Sequence, residues 1–278
     1  MTSFIKKLQA AQVTNATWLC AGLDPVLERM PEALRDEQRP FLPFLKTIVD
    51  ATADLVCAYK PNLGFYLSLG APGITILEQI IAYIPDEIPV LLDGKFNDIG
   101  HTAQSYARGA FDALGADAVT VNPYLGQDSI APFLARADKA AFVLARTSNP
   151  SARDFQDLSC ATAQTPVTSS LYENVARQAV AWNHDLPGTC GLVVGATYPQ
   201  ELAHVRALAP DLPFLIPGIG AQGGSLEATV THGPTQSGTG PLINASRAIL
   251  YASSGDDFGD AARRAADELR HRINQERS

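Results

Sequence analysis

The stretch "PVLLDGKFNDIGHTA" (residues 89–103) begins as a buried strand and ends in charge. Val90, Leu91 and Leu92 are followed at once by Asp93, Lys95 and Asp98. Alternate residues of a strand share a face, so Leu91, Asp93 and Lys95 point one way and Leu92 and Gly94 the other. A run that is apolar on both faces belongs to a parallel sheet covered on both sides. The spacing therefore predicts a strand with helices against one face, and with Asp93 and Lys95 projecting at its C-terminal end.

Seven more runs of this kind occur. They are "TWLCAGLD" (17–24), "LVCAYKPN" (55–62), "DAVTVNP" (117–123), "AAFVLART" (140–147), "CGLVVGAT" (190–197), "PFLIPGI" (213–219) and "PLINAS" (241–246). Between them lie segments such as "PFLKTIVDATADL", "TAQSYARGAFDALG", "SSLYENVARQAVAWNH" and "PQELAHVRALA", whose apolar residues recur every three or four positions. Eight strands alternating with helices imply parallel pairing and right-handed crossovers. The count predicts an α/β chain forming a single (β/α)8 TIM barrel over residues 1–278. Two connections, 148–168 and 223–240, are too long for simple turns and read as lid loops at the end where such barrels keep their active sites.

Composition narrows the function. With 278 residues, 46% of them hydrophobic, the chain can fill one large core. A net charge of -8 with no basic stripe argues against nucleic acid, though not against a phosphorylated small molecule. Cys20, Cys57, Cys160 and Cys190 form no C-x-x-C pair, so free thiols are expected rather than a metal site or disulfides. No apolar run reaches the ~18 residues of a membrane span, and the N-terminus has no signal-like apolar region. A cytoplasmic location is expected.

An ammonium group held between carboxylates is a poor Schiff-base nucleophile but a good partner for a carbanion, which it can stabilise and protonate. The Asp93–Lys95–Asp98 array thus points to chemistry that leaves negative charge on carbon, without a redox cofactor. Each residue also has a plainer reading. Asp98 suits the N-cap of the helix that follows, and Asp93 with Lys95 could be an internal ion pair. A buried pair adds little stability over apolar residues of the same shape, however, which favours catalysis for Asp93 and Lys95. At the far end, "PGIGAQGG" (217–224) offers unobstructed backbone amides, and Arg247 stands just after the eighth strand at a helix start. Together they read as a phosphate site.

D-x-K-x-x-D-I-x-x-T, here Asp93, Lys95, Asp98, Ile99 and Thr102, resembles the signature of the orotidine 5'-phosphate decarboxylase family. "AGLDP" (21–25), "YKPNLGFY" (59–66), "VNPYLGQDS" (121–129), "RTSNPS" (146–151), "VVGAT" (193–197), "PGIGAQGG" (217–224) and "NASRAILYA" (244–252) resemble its longer bacterial form, type 2, in order along the chain. The resemblance implies cofactor-independent decarboxylation of orotidine 5'-monophosphate to uridine 5'-monophosphate in pyrimidine biosynthesis. It implies that Asp24 and Lys60 meet the ribose and the active-site network, and that Asp93, Lys95 and Asp98 meet the substrate carboxylate. Ser148 is implied at the pyrimidine, with Thr147 and Asn149 left open, and Gln222 and Arg247 at the phosphate. A homodimer with shared sites is implied too, in which Asp98, Ile99 and Thr102 reach into the neighbouring subunit.

Two positions depart from the pattern. Gly100 stands where the shorter form carries Pro, and His101 where the longer form has Asn. The rival enzymatic reading is a related Mg²⁺-dependent sugar-phosphate enzyme such as hexulose-phosphate synthase, which activity loss with a chelator would favour. A silent nucleotide-binding barrel is the rival of another class, and the charged array argues against it. His184, His204, His232 and His271 show no metal-ligand spacing, and Trp18 and Trp182 read as core. The C-terminal segment "DDFGDAARRAADELRHRINQERS" reads as an amphipathic helix covering the barrel.

Overall fold

The apolar runs become strands where both of their faces find cover. The computed structural model describes residues 3–35, 37, 39–161, 168–219 and 223–277. Among these, the barrel strands are β1 (Leu19–Gly22), β2 (Ala58–Lys60), β3 (Leu91–Phe96), β4 (Ala118–Val121), β5 (Ala140–Arg146), β6 (Thr189–Val194), β7 (Phe214–Ile216) and β8 (Pro241–Ala245). All pair in parallel, in the order β2-β1-β8-β7-β6-β5-β4-β3. Bridges from Tyr59 to Val90 and from Asn62 to Asp93 then join β2 to β3 and close the ring. The (β/α)8 barrel expected from the eight runs is the fold.

Alternation along each strand sorts side chains into two apolar layers. Leu91, Ala118, Phe142 and Leu242 point inward, while Leu92, Val119, Val143 and Ile243 pack against the helices. The helix Phe41–Thr52 shows why the outer layer holds: its buried residues, Phe44, Leu45, Ile48, Val49 and Thr52, recur at helical spacing. The helix Leu171–Asp185 starts on a capping box between Ser170 and Glu173. The C-terminal helix Phe258–Arg277 buries Ala261, Ala262, Ala266 and Ile273 and leaves its charged face in water, as its pattern predicts. Trp18 and Trp182 are buried. So are Cys20, Cys57 and Cys190, and burial pushes the Cys20 thiol up to about 12.

One element has no counterpart in the sequence reading. The helix Phe4–Thr14 plugs the N-terminal end of the barrel, with Phe4, Leu8 and Ala11 in the same cluster as the inward residues. Phe4 meets Phe142 edge-on at 5.7 Å, and Gln12 donates to the Pro241 carbonyl at 2.8 Å. A buried aromatic in such a plug contributes about 3–5 kcal/mol relative to alanine. With one end sealed, the opposite end of the barrel is left to hold a site.

The two long connections carry structure of their own. Residues 223–240, expected as loop, contain the helix Leu226–His232, whose Ser225 side chain accepts from the Ala228 amide. The following turn is tied by Thr235, Ser237 and Thr239. The other connection begins with a short helical turn, Pro150–Asp154, and continues into a two-stranded hairpin, Ser159–Cys160 with Ser169–Ser170. Residues 162–167 of this connection lie outside the described residues.

Candidate active site

The charges of β3 assemble at the open end of the barrel. Asp93 is buried, yet both of its oxygens are in use. Oδ1 accepts from Lys95 Nζ at 2.6 Å and from Thr120 Oγ1 at 2.8 Å. Oδ2 accepts from Lys60 Nζ at 3.2 Å and from Asn62 Nδ2 at 3.0 Å. Lys60 is buried, whereas the Lys95 side chain is half-exposed at the cavity edge. Four donors leave the carboxylate no freedom to turn.

Simple alternation does not by itself place Lys95. The pairing of β3 with β4 shifts between Leu92 and Phe96, and Lys95 sits at φ +44°, in the left-handed region that non-glycine residues seldom occupy. Its amide donates to Thr120 Oγ1 at 2.9 Å, which holds the turn. Strain of this kind persists where the surroundings over-determine the backbone, as in functional sites. The same threonine therefore fixes both the carboxylate and the backbone of the lysine beside it.

Burial favours the neutral form of Asp93. The Lys60 and Lys95 charges, with hydrogen bonds from Lys95 and Thr120, outweigh it and hold the carboxyl well below the usual carboxylate range. Burial likewise works against charge on Lys60, but Asp93, Asp24 and Cys20 raise its pKa above the usual lysine range. The depressed Asp93 therefore stabilises the fold above the unfolded-state value of about 3.9, and this contribution is lost as pH falls toward the folded value. Urea unfolding should show Asp93→Asn less stable than wild type near neutrality, with the gap narrowing below about pH 4. A gap independent of pH would contradict this account.

Asp24, at the end of β1, accepts the Asn62 amide at 3.1 Å and offers its own carbonyl to the Tyr251 hydroxyl at 2.9 Å. It lies on the wall between two connected cavities. One, of about 520 Å³, is lined by Lys60, Asp93, Lys95 and Thr120 and has an apolar side formed by Leu144, Val193 and Leu215. The other, of about 340 Å³, reaches Gly218, Ser246 and Arg247. Asp24, Ser148, Pro217, Asn244 and Ser246 border both.

Ser148, Thr147 and Asn149 all face the larger cavity, and only Ser148 of the three reaches both. Thr147 is engaged elsewhere: its hydroxyl donates to Asn149 Oδ1 at 2.7 Å and accepts from Gln156 Nε2 at 2.8 Å. Arg247 opens the short helix Arg247–Leu250 and is exposed at its cavity. A Cβ on Gly22 would meet Ser246 Oγ at 1.8 Å, so the glycine lets β1 and the turn after β8 approach closely enough to form this wall. Gln222 lies outside the described residues.

Asp98 takes a different place. It lies just beyond the end of β3, and its Oδ1 accepts the Ile99 amide at 2.8 Å. The helix that follows starts at Gly100 with Ile99 in the capping position, so Asp98 is not the N-cap. Asp98 is not among the residues that line either cavity, Thr102 is exposed, and Ile99 is 54% exposed. Gly100 has φ +56°, which proline, fixed near -65°, cannot adopt, and this explains the departure from Pro there.

Asn62, Thr120, Asn244 and Tyr251 were not singled out from the sequence. Thr120 and Asn244 carried a usable signal, being polar residues at inward positions of otherwise apolar strands. Asn62 and Tyr251 carried none, since their roles depend on which strand end lies beside Asp24. Among the described residues, no three His, Cys, Asp or Glu side chains gather as a metal-binding group, and no helix is long and apolar enough to cross a membrane.

Fold and site together define a (β/α)8-barrel enzyme with a lysine–carboxylate centre. Residues 17–263 match the family described as orotidine 5'-phosphate decarboxylase / HUMPS. The chain is 51% identical over 279 residues to the orotidine 5'-phosphate decarboxylase of Ralstonia nicotianae, covering 99% of each. It is 49% identical over 263 residues to that of Herpetosiphon aurantiacus, covering 95% of each. The solved structure of Leishmania donovani OMP decarboxylase is similar with a TM-score of 0.84 at 40% identity, over 99% of both chains. The chain belongs to the orotidine 5'-phosphate decarboxylase / HUMPS family.

Proposed function

We infer that this chain converts orotidine 5'-monophosphate to uridine 5'-monophosphate and CO₂ in pyrimidine biosynthesis. The observation that carries the reading is Lys95 Nζ, 2.6 Å from Asp93 Oδ1 at the edge of the larger cavity. A substrate carboxylate brought beside Asp93 places two like charges together, and loss of CO₂ moves one of them onto the ring carbon beside Lys95. The C–C bond electrons stay on C6 of the ring, where the Lys95 ammonium stabilises the charge and then gives its proton to that carbon. The resulting amine regains a proton from water. Leu144, Val193 and Leu215 form the dry side on which the neutral CO₂ departs.

Asp24 and Lys60 hold the ribose, Ser148 the pyrimidine, and Gln222 with Arg247 the phosphate. Binding energy from the phosphate, remote from the reacting bond, orients the nucleotide at the reacting centre. Asp98, with Ile99 and Thr102, completes the site of a second copy in a cytoplasmic homodimer. The exposure of Ile99 and the absence of Asp98 from the lining of its own cavities support that arrangement. No metal or organic cofactor enters the steps.

Purified protein without added metal should lower the absorbance of orotidine 5'-monophosphate at the wavelengths where it exceeds that of the product, and yield uridine 5'-monophosphate by chromatography. Unchanged substrate would end the reading. Arg247→Ala should lower kcat/KM for the nucleotide by the equivalent of about 1.5–3 kcal/mol, the range for a charged hydrogen bond. Turnover of phosphate-free orotidine should hardly change. Equal losses for both substrates would place Arg247 outside the phosphate site.

A further inference from the structure

Asn244, on the site floor, carries a buried oxygen that no described residue satisfies. It points inward from β8 above Leu242, while Ile243 and Ala245 on either side pack outward. Its neighbours on the floor, Lys60, Asp93 and Thr120, bond to one another. Asn244 Oδ1 is sealed from solvent and has no hydrogen-bond partner among the described residues. The residue is nevertheless only half-buried and borders both cavities. The face that its carboxamide turns to the cavity is therefore Nδ2.

A buried carbonyl oxygen without a partner is unfavourable, and an apolar side chain of similar shape would suit a mere packing position better. A polar side chain that packing alone would not favour, with its amide nitrogen turned to the cavities, acts as a positioning device. Its location narrows what it meets. On one side lies the cavity of Lys95 and Asp93, where the reacting ring sits, and on the other the cavity of Arg247. The part of a nucleotide spanning that junction is the ribose with its 5'-phosphoester.

Resting on the functional reading above, we propose that Asn244 positions the substrate by donating from Nδ2 to an acceptor oxygen of its ribose 5'-phosphate portion. Affinities of wild type, Asn244→Leu and Asn244→Ala for uridine 5'-monophosphate and for ribose 5-phosphate test this by calorimetry and competition. The thermal midpoint of each ligand-free protein is measured alongside. Both affinities should fall about three- to tenfold in Asn244→Leu, the range for one neutral hydrogen bond, while its midpoint stays level or rises. A residue with only a structural role would lower the midpoint and leave the affinities alone. If the larger leucine prevents folding, Asn244→Ala must show the same loss of affinity.

Unchanged affinity for both ligands overturns the assignment, as does a loss seen with the nucleotide but not with ribose 5-phosphate. A wild type that fails to decarboxylate orotidine 5'-monophosphate sinks the functional reading itself. Active wild type with unaffected variants sinks only the role of Asn244.

Discussion

Lys95→Ala is expected to lose decarboxylation by about four orders of magnitude or more, because one group supplies both charge stabilisation and the proton. Its affinity for uridine 5'-monophosphate should stay within about threefold of wild type, since the phosphate and ribose contacts lie elsewhere. The fold should survive, as Asp93 keeps Lys60, Asn62 and Thr120 as partners. Lys95→Arg sharpens the test. It retains the positive charge, but a guanidinium does not release a proton under these conditions. If proton donation matters as well as charge, Lys95→Arg should also be inactive. Single-turnover assays with calorimetry decide the matter, and near-normal turnover by Lys95→Ala would remove Lys95 from the chemistry.

Mixing two dead variants should restore activity if sites are shared between subunits. In a two-fold dimer that pairs Lys95 of one chain with Asp98 of the other, Lys95→Ala and Asp98→Ala homodimers both fail. A mixed dimer carries both lesions in one site and none in the other. Random re-association of equal amounts makes about half the dimers mixed, so about a quarter of all sites are intact. Activity should rise from near zero to about that fraction of wild type taken through the same dissociation. Were Asp98 to serve its own chain, every site would keep one lesion. No recovery, with mixed dimers confirmed by mass spectrometry, would rule out the shared site.

The charged end of "PVLLDGK" was legible because charge at the inward positions of a buried strand is costly, and so informative wherever it occurs. Gly100 was visible in the sequence only as a departure from pattern. Its φ of +56° supplies the reason. The segment 223–240 misled because its glycines and threonines read as loop, while seven residues within it, Leu226–His232, pack as a helix. Local propensity there gave way to burial of Thr229 and Val230.

The sequence by itself determined the barrel, since eight two-faced apolar runs separated by amphipathic helices leave few other ways to bury both faces. It also determined that Asp93 stands at the mouth, because strand periodicity is a property of the chain alone, whereas Lys95 owes its place to a backbone turn at φ +44°. Only the tertiary structure decided who holds them. The stagger of β2 against β3 brings Asn62 opposite Asp93, and the shifted register of β4 puts Thr120 under both Asp93 and Lys95. Where β8 meets β1, the side-chain oxygen of Asn244 is sealed without a partner among the described residues. Register between strands distant in sequence is set by side-chain packing and ring closure, and no single strand's pattern encodes its neighbour's offset.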